Sequence, residues 1–178
     1  MSLSSLYPPP THLVPSIQIL SSGQWPPPPL HHLPNMSSME LASFGSVIVP
    51  LATNTLNSIM IAMDEGDAAL FASCYTPDGT CTIKLANKTS TGTEALSALC
   101  MGLHNKFKGV RHWEGNVCIR QPEPGVLTNT SYWKALSGGE IISTGIHKDV
   151  LECDGETCKI KSREIIHTWT KEGGHVDQ

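Results

Sequence analysis

A chain of 178 residues, 39% of them hydrophobic and 16% charged, is the size of one compact domain with a real core and is cramped for two. Its 12 Lys and Arg against 16 Asp and Glu give a net charge of −4, which offers no basic footprint for a phosphate backbone and argues against nucleic-acid binding. No uninterrupted run of about 18 apolar residues occurs, so no membrane span is expected.

Composition divides the chain. Nine of the 13 prolines lie between Pro8 and Pro34, and the first Lys or Arg is Lys84. Pro8-Pro9-Pro10, Pro26 to Pro29, His31-His32 and many serines bury too little apolar surface to offset chain entropy. Residues 1–42 are therefore expected to be a disordered Pro-rich extension, residues 43–172 one domain and residues 173–178 a flexible tail. Without Lys or Arg, the extension has neither the basic start of a secretory signal nor the Arg-rich face of a transit peptide, which points to the cytoplasm.

Apolar residues recur at helical spacing from Leu51 through Leu56, Ile59, Met60 and Met63, with Pro50 suited to a first turn and Gly66 to a stop. Asp67 reads as the N-cap of a short second helix, residues 68–75, ended by the turn cluster Thr76-Pro77-Asp78-Gly79. A strand is predicted over 80–85. A third helix opens at Thr93 or its neighbour, carries Glu94 in its first turn and Leu96, Leu99, Leu103 and Phe107 on one side, and closes at Gly109.

Four strands follow, over residues 110–120, 125–136, 140–153 and 157–170, and their short Pro-, Gly- and Asp-rich separators make them antiparallel neighbours. Helices first and an antiparallel meander afterwards is the α+β pattern: a curved antiparallel sheet wrapped around three N-terminal helices, with a cone-like cavity between them for a ligand. The six cysteines are not in metal spacing, so no metal site is expected. Cys153 and Cys158 bracket Asp154-Gly155 and could face each other across two strands, but in the absence of an export signal the thiols are expected to be reduced.

Ala62-Met63-Asp64-Glu65-Gly66-Asp67, Tyr75-Thr76-Pro77-Asp78-Gly79 and Gly92-Thr93-Glu94-Ala95-Leu96 follow one another in a characteristic order. They continue into Arg111-His112-Trp113-Glu114-Gly115-Asn116, Ser131-Tyr132-Trp133 and Gly145-Ile146-His147-Lys148-Asp149. Over residues 51–169 the chain resembles a SnoaL-like domain of the nuclear transport factor 2-like superfamily. That superfamily spans polyketide cyclases, scytalone dehydratase, ketosteroid isomerase and non-catalytic members, so the resemblance implies a fold more firmly than a reaction.

The resemblance directs attention to particular residues. Asp64 ends the first helix, where the helix dipole disfavours a carboxylate, and looks like the aspartate of scytalone dehydratase, although the tyrosine preceding that residue is Met63 here. An exposed turn carboxylate is the other reading of Asp64. His112 stands in a His-Trp-Glu-Gly run similar to that around a catalytic histidine of scytalone dehydratase; the competing reading is a histidine hydrogen-bonded within the sheet. Strand alternation sets Gly145, His147, Asp149 and Leu151 on one face, which the resemblance turns toward the cavity, and His147 with Asp149 could form an acid/base pair. Tyr132 could donate its hydroxyl to a substrate oxygen, and Met60, Met63 and Leu151 are candidate ligand-contacting residues.

No Gly-x-Ser-x-Gly, Gly-Lys-Ser/Thr phosphate loop, Gly-x-Gly-x-x-Gly or His-Glu-x-x-His run is present, and no cofactor is expected. The expected function is acid/base catalysis of dehydratase, isomerase or cyclase type on a small apolar or carbonyl-containing molecule. The alternative is a non-catalytic ligand-binding or dimerisation module. Asp64 and His112 converging on one cavity favours the enzyme; a cavity plugged by Met60, Met63 and Leu151 favours the module. A homodimer through the open sheet face is expected, with Trp113, Tyr132, Trp133 and Trp169 as contacts.

Overall fold

The computed structural model describes Met39 and residues 44–176, so the Pro-rich segment and its expected disorder lie outside the described residues. A π-helical turn, Phe44–Ile48, leads into α1 (Val49–Glu65), where Pro50 occupies the first turn. Gly66 ends α1 in the left-handed region at φ 73°, and a Cβ there would also lie 2.8 Å from the His104 ring, so the position excludes side chains twice over. The segment Gly45–Glu65 is long and apolar enough to cross a membrane, but one face of it, including Ala52, Leu56, Ile59 and Met63, is buried in the core. Asp67 caps α2 (Ala68–Ser73) by accepting the Leu70 N–H at 2.9 Å.

α3 (Gly92–Lys106) begins one residue before Thr93, with Thr91 at the N-cap, and buries Leu96, Leu99 and Cys100 against α1 and α2. Each such buried leucine contributes about 1.5–3 kcal/mol of transfer free energy.

The sheet has strands β1 (Tyr75–Ile83), β2 (Lys88–Thr91), β3 (Arg111–Glu123), β4 (Val126–Ser137), β5 (Glu140–Cys153), β6 (Cys158–Thr170) and β7 (Gly174–His175). Their order is β2-β1-β6-β5-β4-β3, with β7 added to β6. The meander β3 to β6 is antiparallel as expected, but β1 runs parallel to β6, so the sheet is mixed. β1 and β6 are separated by β2, α3 and the strands β3 to β5, and a connection that long imposes no hairpin geometry.

Three further expectations are corrected, and one strand is new. β1 continues through Thr76-Pro77-Asp78-Gly79, where a turn was expected; the register shifts between Tyr75↔Ile160 and Thr80↔Ser162, and the Pro and Gly sit in that irregular stretch. β2 was not foreseen. Residues 174 and 175 pair with β6 where a flexible tail was expected. Cys153 and Cys158 stand directly opposite across the β5–β6 hairpin and are joined as a disulfide, not left as thiols.

Along β4 and β5 the odd-numbered residues from Leu127 to Ala135 and from Gly145 to Leu151 are buried beneath the helices, while their neighbours face outward. The concave face of the sheet is thus a floor of residues from four strands, and α1 and α3 roof it.

Candidate active site

Between that floor and α1 and α3 lies a cavity of about 870 Å³. Apolar side chains such as Leu99, Leu103, Phe107, Val110 and Ile165 line most of it, and Asp64, His112, Trp133, His147 and His167 form its polar wall. The sheet register builds this wall. Glu114 faces Trp133, Trp133 faces Gly145 and Gly145 faces His167, one row across β3, β4, β5 and β6; Ser131, His147 and Ile165 form the row beside it.

Asp64 and His112 meet. The His112 Nδ1 is 2.6 Å from Asp64 Oδ1, and the His112 backbone N–H donates to Asp64 Oδ2 at 2.8 Å. Both side chains are largely buried, at 8% and 17% exposure. The last turn of α1 would disfavour this carboxylate, and two donors from the start of β3 offset that cost. Above it, the Asp64 carbonyl is approached by His104 Nδ1 at 3.1 Å and by the Arg111 guanidinium at 3.4 Å, covering the helix end.

His147 also faces a carboxylate, but not the expected one. Its Nδ1 lies 3.2 Å from Glu114 Oε1, which also accepts from the Ser131 hydroxyl and has Arg163 at 3.8 Å. Burial works against the Glu114 charge, yet His147, Arg163 and Ser131 outweigh it and hold the carboxyl below its usual range. Burial, reinforced by the Arg163 charge, lowers the His147 pKa against the pull of Glu114, so the imidazole is neutral near pH 7. A neutral ring that donates Nδ1–H to Glu114 has a lone pair at Nε2. His167 is lowered likewise, by burial and then by His112.

Asp149 is paired elsewhere. Arg163 binds it through Nε at 2.6 Å and Nη2 at 3.1 Å, and Asn129 donates to it at 2.9 Å, all deep in the core and off the cavity lining. The expected His147–Asp149 pair does not form, because Arg163 on β6 stands opposite Asp149 in register and offers a bidentate fork. Tyr132 is 56% exposed on the outer face, one residue out of phase with the cavity, so its hydroxyl does not reach a ligand there. Trp133, expected at an outer interface, is instead the centre of the polar wall: it stacks on His147 with ring centroids 5.6 Å apart and meets His167 edge-on at 5.0 Å. Met63 lines the cavity, whereas Met60 and Leu151 are core residues behind it and do not plug it.

Sequence reading missed Glu114, Arg163, Trp133 and His167 as site residues. Glu114 had a usable signal, since it lies two residues from His112 and alternation puts both on one face. Among the described residues, no group of three or more His, Cys, Asp or Glu is arranged to hold a metal ion.

Solved structures similar to this chain share its fold at low identity. A protein of unknown function from Mycobacterium tuberculosis aligns with TM-score 0.66 and 16% identity over 79% of this chain and 83% of its own. LinA aligns with TM-score 0.63 and 19% identity over 80% and 99%. A Novosphingobium aromaticivorans protein assigned to scytalone dehydratase aligns with TM-score 0.61 and 20% identity over 73% and 89%. No curated protein matches the chain in sequence. The SnoaL-like domain profile matches residues 52–164, well over half of the chain and the whole span from α1 into β6, and the protein belongs to the SnoaL-like domain family.

Proposed function

We propose that the cavity is a cofactor-independent acid/base site, of dehydratase, isomerase or cyclase type, acting on a small carbonyl-containing, polyketide-like molecule. The observation that carries this reading is the Asp64–His112 pair at the wall of a largely apolar cavity. With Nδ1–H donated to Asp64, the His112 Nε2 has a lone pair for a C–H proton beside a carbonyl. The C–H electrons pass into the enolate, and the imidazolium formed is stabilised by the carboxylate 2.6 Å away. The likeness to a protein assigned to scytalone dehydratase fits that chemistry without naming the substrate.

Deuterium exchange at the α-carbons of 2-tetralone and other cyclic ketones, followed by proton NMR in D2O, tests the reading. Exchange above the buffer rate is expected, and His112→Gln or Asp64→Asn should lower it by about 10²- to 10⁴-fold with the fold retained. No exchange across the ketone panel, or full exchange in both variants, would make a non-catalytic ligand-binding module the better account.

The association proposed with it is a homodimer through the outer sheet face, where Trp113 is 66% exposed and Tyr132 is exposed on the neighbouring strand. Trp133 drops out of that contact set. Sedimentation giving about 19 kDa at high micromolar concentration overturns the dimer.

A further inference from the structure

The cavity differs from end to end. Its inner end holds the Asp64–His112 pair and His147, with the Glu114 carboxylate directly behind His147. At the other end the lining is open to solvent. Leu85 is 54% exposed and Phe107 42%, so the mouth is framed by the turn Lys84–Ala86, the start of β2 and the last turn of α3. Lys88 and Lys106 belong to that exposed rim.

The period of its element aims each lysine at the cavity. Lys106 follows Leu99 and Leu103 at helical spacing, along the stripe of α3 that faces the core. Its Nζ stands 5.1 Å from the centroid of the Phe107 ring, which keeps the charge at the mouth. Lys88 shares its side of β2 with Ser90, which is buried in the cavity wall. Neither lysine has an acidic partner among the described residues, whereas Lys84, in the same turn, is paired with Glu164. Lys106 also complements the negative end of the α3 dipole, a role that Lys88 on β2 cannot have. The chain carries a net charge of −4, and these two cations stand uncompensated at the opening of its apolar cavity.

We propose that the cavity takes an apolar molecule bearing an anionic group, with the body among Leu99, Leu103, Phe107 and Ile165 and the anion at the mouth in the field of Lys88 and Lys106. The charges fix its direction. Asp64 and Glu114 repel an anion from the inner end while the lysines attract it outside, so the uncharged end of the molecule is the one presented to His112. An anion at the rim keeps part of its hydration and avoids the cost of burying a charge. The inference rests on the reading of the cavity as a small-molecule site, adds a charge to the molecule it takes, and is independent of proton transfer by His112.

Calorimetric binding of 2-naphthylacetate, its methyl ester and 2-(2-naphthyl)ethylammonium to the full chain, near neutral pH in low salt, tests it. The carboxylate should bind about 3- to 10-fold more tightly than the ester, as two exposed ion pairs allow, and the ammonium should bind most weakly. Raising the salt to about 0.5 M should close most of the gap between carboxylate and ester. Lys88→Gln should reduce the carboxylate's advantage about two- to threefold and leave the ester within about twofold. Lys88→Glu combined with Lys106→Glu should put the ammonium ahead of the carboxylate. Both positions are exposed, so the variants should keep the circular dichroism of the unmodified protein. An ester bound as tightly as the carboxylate, a gap indifferent to salt, or an advantage that survives the double reversal would overturn the proposal and leave the cavity a site for neutral molecules. No binding of carboxylate or ester would overturn it together with the reading on which it rests.

Discussion

Asp64 in the last turn of α1 and Asp149 on β5 are both largely buried carboxylates, and their surroundings differ in kind. Both oxygens of Asp149 are taken by Arg163 and Asn129, and none of the three lines the cavity. Asp64 is held as tightly, but by an imidazole that itself lines the cavity and has its second nitrogen to spare. A paired charge acts as a fold device when its partner is spent inside the core. The same pairing tunes chemistry when the partner still has an atom facing a ligand.

The largest effect that could break this comparison is one of stability. Asp149→Asn leaves the Arg163 guanidinium, which burial disfavours and Asp149 chiefly sustains, without its main counter-charge. A loss of about 3–5 kcal/mol is expected in denaturant unfolding. Adding Arg163→Met should recover part of it. If Asp149→Asn cost no more than Asp64→Asn, the contrast between the two carboxylates would fail.

Gly145→Ala comes next. A Cβ would fall 2.1 Å from the Ile166 carbonyl and 2.5 Å from the Trp133 ring, so backbone or indole must shift, at about 1–3 kcal/mol. Unchanged stability would show that Trp133 is not held by that close approach.

A smaller, graded effect is expected from pH. The folded His147 and His167 bind protons less readily than in the unfolded chain, so below the ordinary histidine value of about 6.5 the unfolded state takes up protons the folded state refuses, and stability falls with pH. Glu114 acts in the same sense at lower pH, because its folded pKa is depressed and its stabilisation is lost as pH falls through that value. Urea midpoints should therefore decline from about pH 7 to 5, and His147→Phe should flatten the upper part of that decline. A flat profile in the unmodified protein would mean that His147 is not held neutral.

Much of this was legible in the chain. Period 3.6 apolar spacing with Pro50, Gly66 and Asp67 located α1 and α2, and period 2 on β5 placed Gly145, His147, Asp149 and Leu151 on the buried face. What stayed hidden depends on register. Whether His147 meets Asp149 or Glu114 is decided by which strands lie side by side and by irregularities such as those at Thr144/Gly145 and Val150/Leu151, none of which local sequence specifies. The first half of β1 was hidden for another reason: Pro77-Asp78-Gly79 has the chemistry of a turn, and the long-range pairing with β6 overrode it.

The smallest expected effect lies one residue from a buried ring of the cavity wall. Tyr132 and Trp133 are adjacent on β4, and alternation sends the first to the outer face and the second to the cavity. Tyr132→Phe removes a hydroxyl that is not among the cavity-lining groups, so ketone exchange should stay within about twofold, and stability within about 0.5 kcal/mol. Trp133→Phe removes a buried ring that packs on His147 and His167, and should cost about 1–3 kcal/mol. The two variants differ in one register step, and only a β4 strand phased as described gives them opposite outcomes. Loss of exchange in Tyr132→Phe with Trp133→Phe unaffected would place the tyrosine in the cavity, and the row Glu114, Trp133, Gly145 and His167 would have to be redrawn.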